Sequence, residues 1–90
     1  MPKHSSLANY LEELWGRGFK LTNEDIRLIY FGKRFTAAHD HNIIMALKFT
    51  LQIQRDFDFS FYLSLLELLL EHEITNEQQA IQLFQQKKML

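Results

Sequence analysis

The segment from Phe59 to Leu70 constrains the fold more than any other part of the sequence. In a helix, its polar side chains form one narrow stripe with spacings of four, three and four residues: Ser60, Ser64, Glu67 and Glu71. All other positions from 61 to 70 are apolar. A helix that is apolar on nearly all sides must be covered on nearly all sides. We therefore expect either the central helix of a bundle or an interface with another chain.

Apolar residues at helical spacing predict four further helices, and capping signals mark their ends. The predicted helices span, in chain order, about 6–16, 22–32, 36 or 40 to 55, 60–73 and 75 onward. Thr22 is the expected N-cap of the second helix, and Gly32 is its expected C-terminal stop. Thr75 opens a capping-box pattern at the start of the fifth helix. A turn is expected over 56–60.

The length of 90 residues predicts one domain, spanning 1–90. Hydrophobic residues make up 47% of the chain, which is well above the range of disordered sequences. Five helices joined by short turns then predict an all-α fold, a compact bundle of short helices in orthogonal or up-down arrangement.

Charge and cysteine content exclude several classes of function. The net charge of −1 gives no strong attraction to nucleic acid or to an anionic membrane. The absence of cysteine excludes disulfides, thiolate zinc sites and cysteine nucleophiles. No apolar run is long enough to span a bilayer. We expect a cytoplasmic protein with no membrane association.

No motif for catalysis or cofactor binding stands out. Phosphate-binding glycine loops and nucleophile-elbow patterns are absent from the sequence. His39 and His41 are two residues apart, so in a helix they point to different sides and cannot share a metal ion. Glu67 and Glu71 are one turn apart, but they lie on the stripe expected to face solvent. The sequence therefore predicts no enzyme activity, no catalytic residues, no metal and no cofactor.

A helix-turn-helix DNA-binding regulator, using residues 22–46, is the alternative function. This stretch reads as helix, short turn and helix, and Arg27, Lys33 and Arg34 lie in or near the turn. The would-be recognition helix, however, has no Lys or Arg in its first turns, where such helices usually carry the cations that contact DNA. Nucleic-acid binding is therefore a possible but less favoured role.

The chain has more aromatic side chains than a core of this size can bury. The chain has eight Phe, three Tyr and one Trp, and they compete for the core with many Leu and Ile. Exposed aromatic clusters are typical of binding surfaces. The residues predicted to bind a partner are Tyr30, Phe31, Phe35, Phe57, Phe59, Phe61, Tyr62, Leu66 and Leu69. Arg27, Lys33 and Arg34 are predicted to form a charged rim around them.

The preferred function is thus a small non-enzymatic protein-interaction module. Adaptor, regulator, inhibitor and assembly chaperone are all compatible with such a surface. The expected partner is another protein chain, and self-association to a homodimer is expected because the fourth helix needs so much apolar cover.

Overall fold

Five α-helices account for the regular structure of residues 6–90, the part of the chain that the computed structural model describes. In chain order they are α1 (Leu7–Gly16), α2 (Asn23–Thr36), α3 (Asp40–Gln54), α4 (Phe59–Glu71) and α5 (Glu77–Gln86). These residues contain no strand. The predicted all-α fold is therefore confirmed, while the first five residues of the predicted 1–90 domain lie outside the described residues.

Side-chain caps start four of these helices. In each, a polar side chain accepts a hydrogen bond from the backbone N–H three residues later: Ser6, Thr22, Asp58 and Asn76. At α2 the bond is reciprocal, because the Asp25 carboxylate accepts from the Thr22 N–H at 3.1 Å. The sequence prediction for α5 was wrong by one residue, since Asn76 rather than Thr75 is the N-cap. Thr75 instead donates its N–H to the Gln79 side-chain oxygen at 3.0 Å.

The predicted stop of α2 at Gly32 was also wrong. The helix continues for one more turn and ends where Ala37 adopts a left-handed conformation with φ of 58°. Gly32 lies inside the helix and is buried against the ring of Tyr62. A helical glycine costs about 1 kcal/mol relative to alanine. Here the close approach of α4, which only glycine permits, offsets that cost.

The core is built around α3 and α4. Four side chains of α4 are fully buried: Tyr62, Leu65, Leu66 and Leu69. The helix α3 packs along α4 and also contacts α1 and α2. Phe84 of α5 meets Phe49 of α3 edge-on, with ring centroids 5.2 Å apart. The inner side of α4 thus packs at the centre of the bundle with α3, while Phe61, Leu63, Leu68 and Leu70 stay half-buried.

The helices of this domain form a compact body. The radius of gyration is 12.4 Å, close to the roughly 12 Å expected for a globular chain of this length. Within residues 6–90, no helix is both long enough and apolar enough to cross a membrane.

Candidate protein-interaction surface

The residues predicted to bind a partner fall into three groups by exposure. Phe31 and Phe35 are exposed, with 43% and 62% of their surface accessible to solvent. A second group is half-buried and packs against the core: Tyr30, Phe57, Phe59 and Phe61. The third group is buried, and for these residues the prediction needs correction.

Tyr62, Leu66 and Leu69 have no accessible surface. All three lie on the inner side of α4, where other helices of the same chain cover them. No partner can reach these side chains while the domain stays folded. They are therefore core residues, and their assignment to a partner-binding surface was wrong.

Three aromatic rings from two helices contact one another at the surface. Phe31 and Phe35 lie one turn apart on α2, with ring centroids 5.6 Å apart and planes inclined by only 15°. The ring of Phe59, at the start of α4, lies 6.0 Å from that of Phe31. We call this set of Phe31, Phe35 and Phe59 the aromatic ridge. In the described part of the chain, neither Phe61 nor Tyr30 pairs with its rings.

The contact between Gly32 and Tyr62 brings the two halves of the ridge together. The Tyr62 hydroxyl donates a hydrogen bond to the Ile29 carbonyl oxygen at 2.8 Å, which ties α4 to α2 two residues before Phe31. Burial raises the pKa of this hydroxyl well above its usual range, so it remains a donor at physiological pH. Phe59 packs on the Tyr62 ring at 6.3 Å. The ridge therefore rests on a fixed, buried base.

Two of the three predicted rim residues are available beside the ridge. Arg27 and Arg34 are both exposed and lie on the same side of α2 as Phe31. Arg27 has a loose ion pair with Glu24, at 3.4 Å, in which both side chains are about 70% exposed. Lys33 differs, because it is half-buried and forms an ion pair with Asp40. Its charge is therefore used in a contact between α2 and α3 and is less available to a partner.

Asp40 joins three helices at the first turn of α3. Its carboxylate accepts from Lys33 Nζ and from the Leu7 N–H at 3.0 Å. The hydrogen bond from Lys33, followed by that from Leu7, holds the pKa of this carboxyl below its usual value. No local sequence pattern predicts the contact to α1, since the partners are 33 residues apart.

The first turn of α3 is engaged in contacts within the domain. Besides Asp40, His41 donates from its ring to the Thr75 carbonyl oxygen at 2.8 Å, and the Asn42 amide donates to the Ile74 carbonyl oxygen at 3.2 Å. A recognition helix needs these positions free to enter the major groove of DNA. The predicted order of helix, turn and helix over 22–46 is therefore present, with Asp40, His41 and Asn42 hydrogen-bonded to other parts of the domain.

A second surface feature lies between α1 and α3. A shallow cavity of about 200 Å³ is lined by Tyr10, Leu14, Arg17, Phe19, Lys48, Leu51 and Gln52. Both of its cations already have carboxylate partners, Glu13 for Arg17 and Glu77 for Lys48. Nearby Trp15 is 57% exposed and lies under the ammonium of Lys20 at 4.4 Å. This region has aromatic surface, but its rings do not form a cluster comparable to the ridge.

Titratable side chains do not assemble into a metal centre in the part of the chain that is described. Across residues 6–90, no three His, Asp or Glu side chains lie close enough to hold an ion together. The sequence predictions of no metal, no cofactor and no enzyme activity remain predictions.

These features define a small all-α domain with an aromatic ridge on its surface. The chain belongs to DUF6123, a family of unknown function whose sequence model matches residues 1–90. No curated protein and no solved structure matches it. The physical chemistry of the surface is therefore the basis for assigning a role.

Proposed function

We propose that this protein is a non-enzymatic interaction module that binds another protein through the aromatic ridge, as an adaptor or regulator does. One observation carries the proposal: three phenylalanine rings from α2 and α4 contact one another at the surface, and two of them are largely exposed. The cysteine-free sequence suits a reducing compartment, so we propose the cytoplasm as the location.

Physical arguments favour a binding role for the ridge. Contiguous exposed aromatic surface is unfavourable in water, and covering it yields about 25 cal/mol per Å². Phenylalanine and arginine are among the residue types enriched at protein–protein interfaces relative to the rest of the surface. The ridge also stands on a rigid base, so little entropy is lost in ordering it when a partner binds.

A partner of a different sequence fits the structure better than a homodimer. The homodimer was expected because the fourth helix needs apolar cover, and the inner side of α4 receives that cover from its own domain. The DNA-binding alternative has less support than protein binding, because the first turn of α3 is already hydrogen-bonded within the domain.

Site-specific photo-crosslinking in the cells that produce the protein tests the proposal. A benzophenone side chain at position 35 replaces an aromatic ring with another at the exposed end of the ridge. We expect discrete protein adducts from this position. The same probe at Gln82, exposed on α5, is the control and should give none.

A second substitution makes the outcome decisive. Phe31→Ser removes the ring stacked on position 35, so the adducts should weaken strongly if the ridge is the binding surface. Adducts that are equally strong at Gln82, or that are unchanged by Phe31→Ser, would contradict a role for the ridge. Circular dichroism of each variant shows that the fold is retained.

A further inference from the structure

The charge beside the aromatic ridge indicates which kind of partner it binds, an inference that rests on the proposed function. Arg34 lies next to Phe35 and has no ion-pair partner among residues 6–90. Arg27 is held only by an exposed pair at 3.4 Å, which solvent screens strongly. Between 30 and 36, α2 carries no carboxylate, and of its two cations Lys33 is paired with Asp40 while Arg34 is not paired within residues 6–90. The unpaired charge beside the exposed rings on α2 is therefore positive.

The shape of this surface is a narrow strip. Arg27, Phe31, Arg34 and Phe35 follow one another at spacings of four, three and one residue, which places them on one side of α2. Eight residues of helix cover about 12 Å. Phe59 widens the strip toward α4 at one point. A segment of two to three helical turns is long enough to cover it.

The two exposed rings by themselves are too small for a stable dimer of this chain. The exposed parts of Phe31 and Phe35 amount to roughly 200 Å², since a phenylalanine side chain presents about 150–250 Å². A stable interface needs about 800 Å² from each partner. In a two-fold dimer, moreover, the ridge would face its own copy. The arginines of both chains would then surround one small apolar patch, and like charges would oppose the contact.

An added β-strand does not suit the strip either. Strand addition needs a free sheet edge, and residues 6–90 contain only helices and turns. The two stacked rings are 5.6 Å apart, which is close to the 5.4 Å pitch of an α-helix. Side chains on one side of a partner helix recur at the same interval, so they can contact successive rings.

We propose that the aromatic ridge binds a short, acidic amphipathic helix of another protein. Its apolar residues, spaced three and four apart, contact the three rings, and its flanking Asp or Glu side chains pair with Arg27 and Arg34. Arginine suits this role because its planar guanidinium can bind a carboxylate through two parallel hydrogen bonds.

Selection from a random sixteen-residue peptide library tests this partner chemistry. The folded wild-type domain is the bait, and the Phe31→Ser/Phe35→Ser variant removes peptides that bind elsewhere. We expect the selected peptides to combine apolar residues at helical spacing with an excess of Asp and Glu. Their affinities are then measured by fluorescence anisotropy.

Charge reversal separates the contribution of the arginines from that of the rings. Arg27→Glu/Arg34→Glu should weaken the selected peptides by about tenfold or more, because two attractive pairs become repulsive. Peptides in which Lys replaces Asp and Glu should prefer this variant to the wild type. Lys20→Glu/Lys87→Glu makes the same change in net charge outside α2 and α4, and it should have little effect.

The outcomes distinguish the proposed function, protein binding through the ridge, from the proposed partner, an acidic helix. Acidic peptides that lose affinity on reversal of Arg27 and Arg34, but not in the control, support the acidic helix. Peptides that need Phe31 and Phe35 but bind the reversed variant equally well overturn the acidic partner and leave the proposed function standing. If no peptide distinguishes the wild type from the Phe31→Ser/Phe35→Ser variant, both proposals fail.

Discussion

The contact between Gly32 and the Tyr62 ring leaves no room for a side chain at position 32. A Cβ there would lie 2.8 Å from Tyr62 Cε2 and 2.9 Å from its hydroxyl oxygen. Alanine would improve helix propensity by about 1 kcal/mol, whereas overpacking a core contact costs about 1–3 kcal/mol. We expect Gly32→Ala to lower the free energy of unfolding by up to about 2 kcal/mol, as measured by urea denaturation.

Gly16→Ala is the matched control for this substitution. Gly16 is also helical, and a Cβ at this position would meet no atom within 4 Å. Alanine there should leave stability unchanged or raise it slightly. If both variants behaved alike, the Gly32–Tyr62 contact would not set the distance between α2 and α4.

The lowered pKa of Asp40 makes one contribution to stability dependent on pH. A carboxyl whose pKa is lower in the folded than in the unfolded chain stabilises the fold above its unfolded pKa, about 3.9 for Asp. This contribution is lost as the pH falls through the folded pKa. Near pH 6, we expect the free energy of unfolding of the wild type to exceed that of Asp40→Asn. The difference should be at most about 1 kcal/mol, because solvent partly screens the ion pair. The difference should shrink below about pH 4.

Chemical denaturation at a series of pH values measures this difference. Lys33 is the main cause of the lowered pKa of Asp40, so the Lys33→Met background is the control. In that background, the difference in free energy of unfolding between Asp and Asn at position 40 should depend much less on pH. An equal dependence in both backgrounds would show that Lys33 does not stabilise the charged form of Asp40.

Among the helices, α4 should tolerate truncation least on its inner side. Leu66 is fully buried, and replacing a buried leucine with alanine costs about 2–5 kcal/mol. A domain of this size has a total stability of about 5–13 kcal/mol, so Leu66→Ala removes a large part of it. Glu67→Ala changes the neighbouring exposed position and should cost less than about 0.5 kcal/mol. Thermal unfolding followed by circular dichroism compares the two, and similar losses would contradict the central position of α4.

The sequence pattern predicted α4 correctly but placed the end of α2 wrongly. The difference is that the first depends on local spacing and the second on a distant contact. The polar stripe of α4 depends on the spacing of residues within one helix, so it can be read locally. Whether Gly32 ends a helix or lies inside it depends on Tyr62, which is 30 residues away in the chain. The apolar spacing of Phe31 and Phe35 does continue past Gly32, and this was the one local sign that the helix goes on.

The candidate site was predictable only in part. Exposure of Phe31 and Phe35 follows from their position on the outer side of α2, but the sequence could not separate them from Tyr62, Leu66 and Leu69. Aromatic and aliphatic residues are equally suited to a core and to an interface. Only the packing of α4 between its neighbours decides which side chains are covered. The same holds for Lys33, which only the fold places beside Asp40.

The domain as a whole should be a monomer in solution. The inner side of α4 is covered within the domain, and the exposed rings of the ridge supply only a small part of the area that a stable symmetric dimer needs. Light scattering on untagged protein should give a mass near 10.8 kDa at micromolar concentration. Phe35→Ser should leave that mass unchanged and cost about 1 kcal/mol or less in stability, because the ring is 62% exposed. A mass twice as large that Phe35→Ser restores to that of the monomer would instead make a second copy the partner of the ridge.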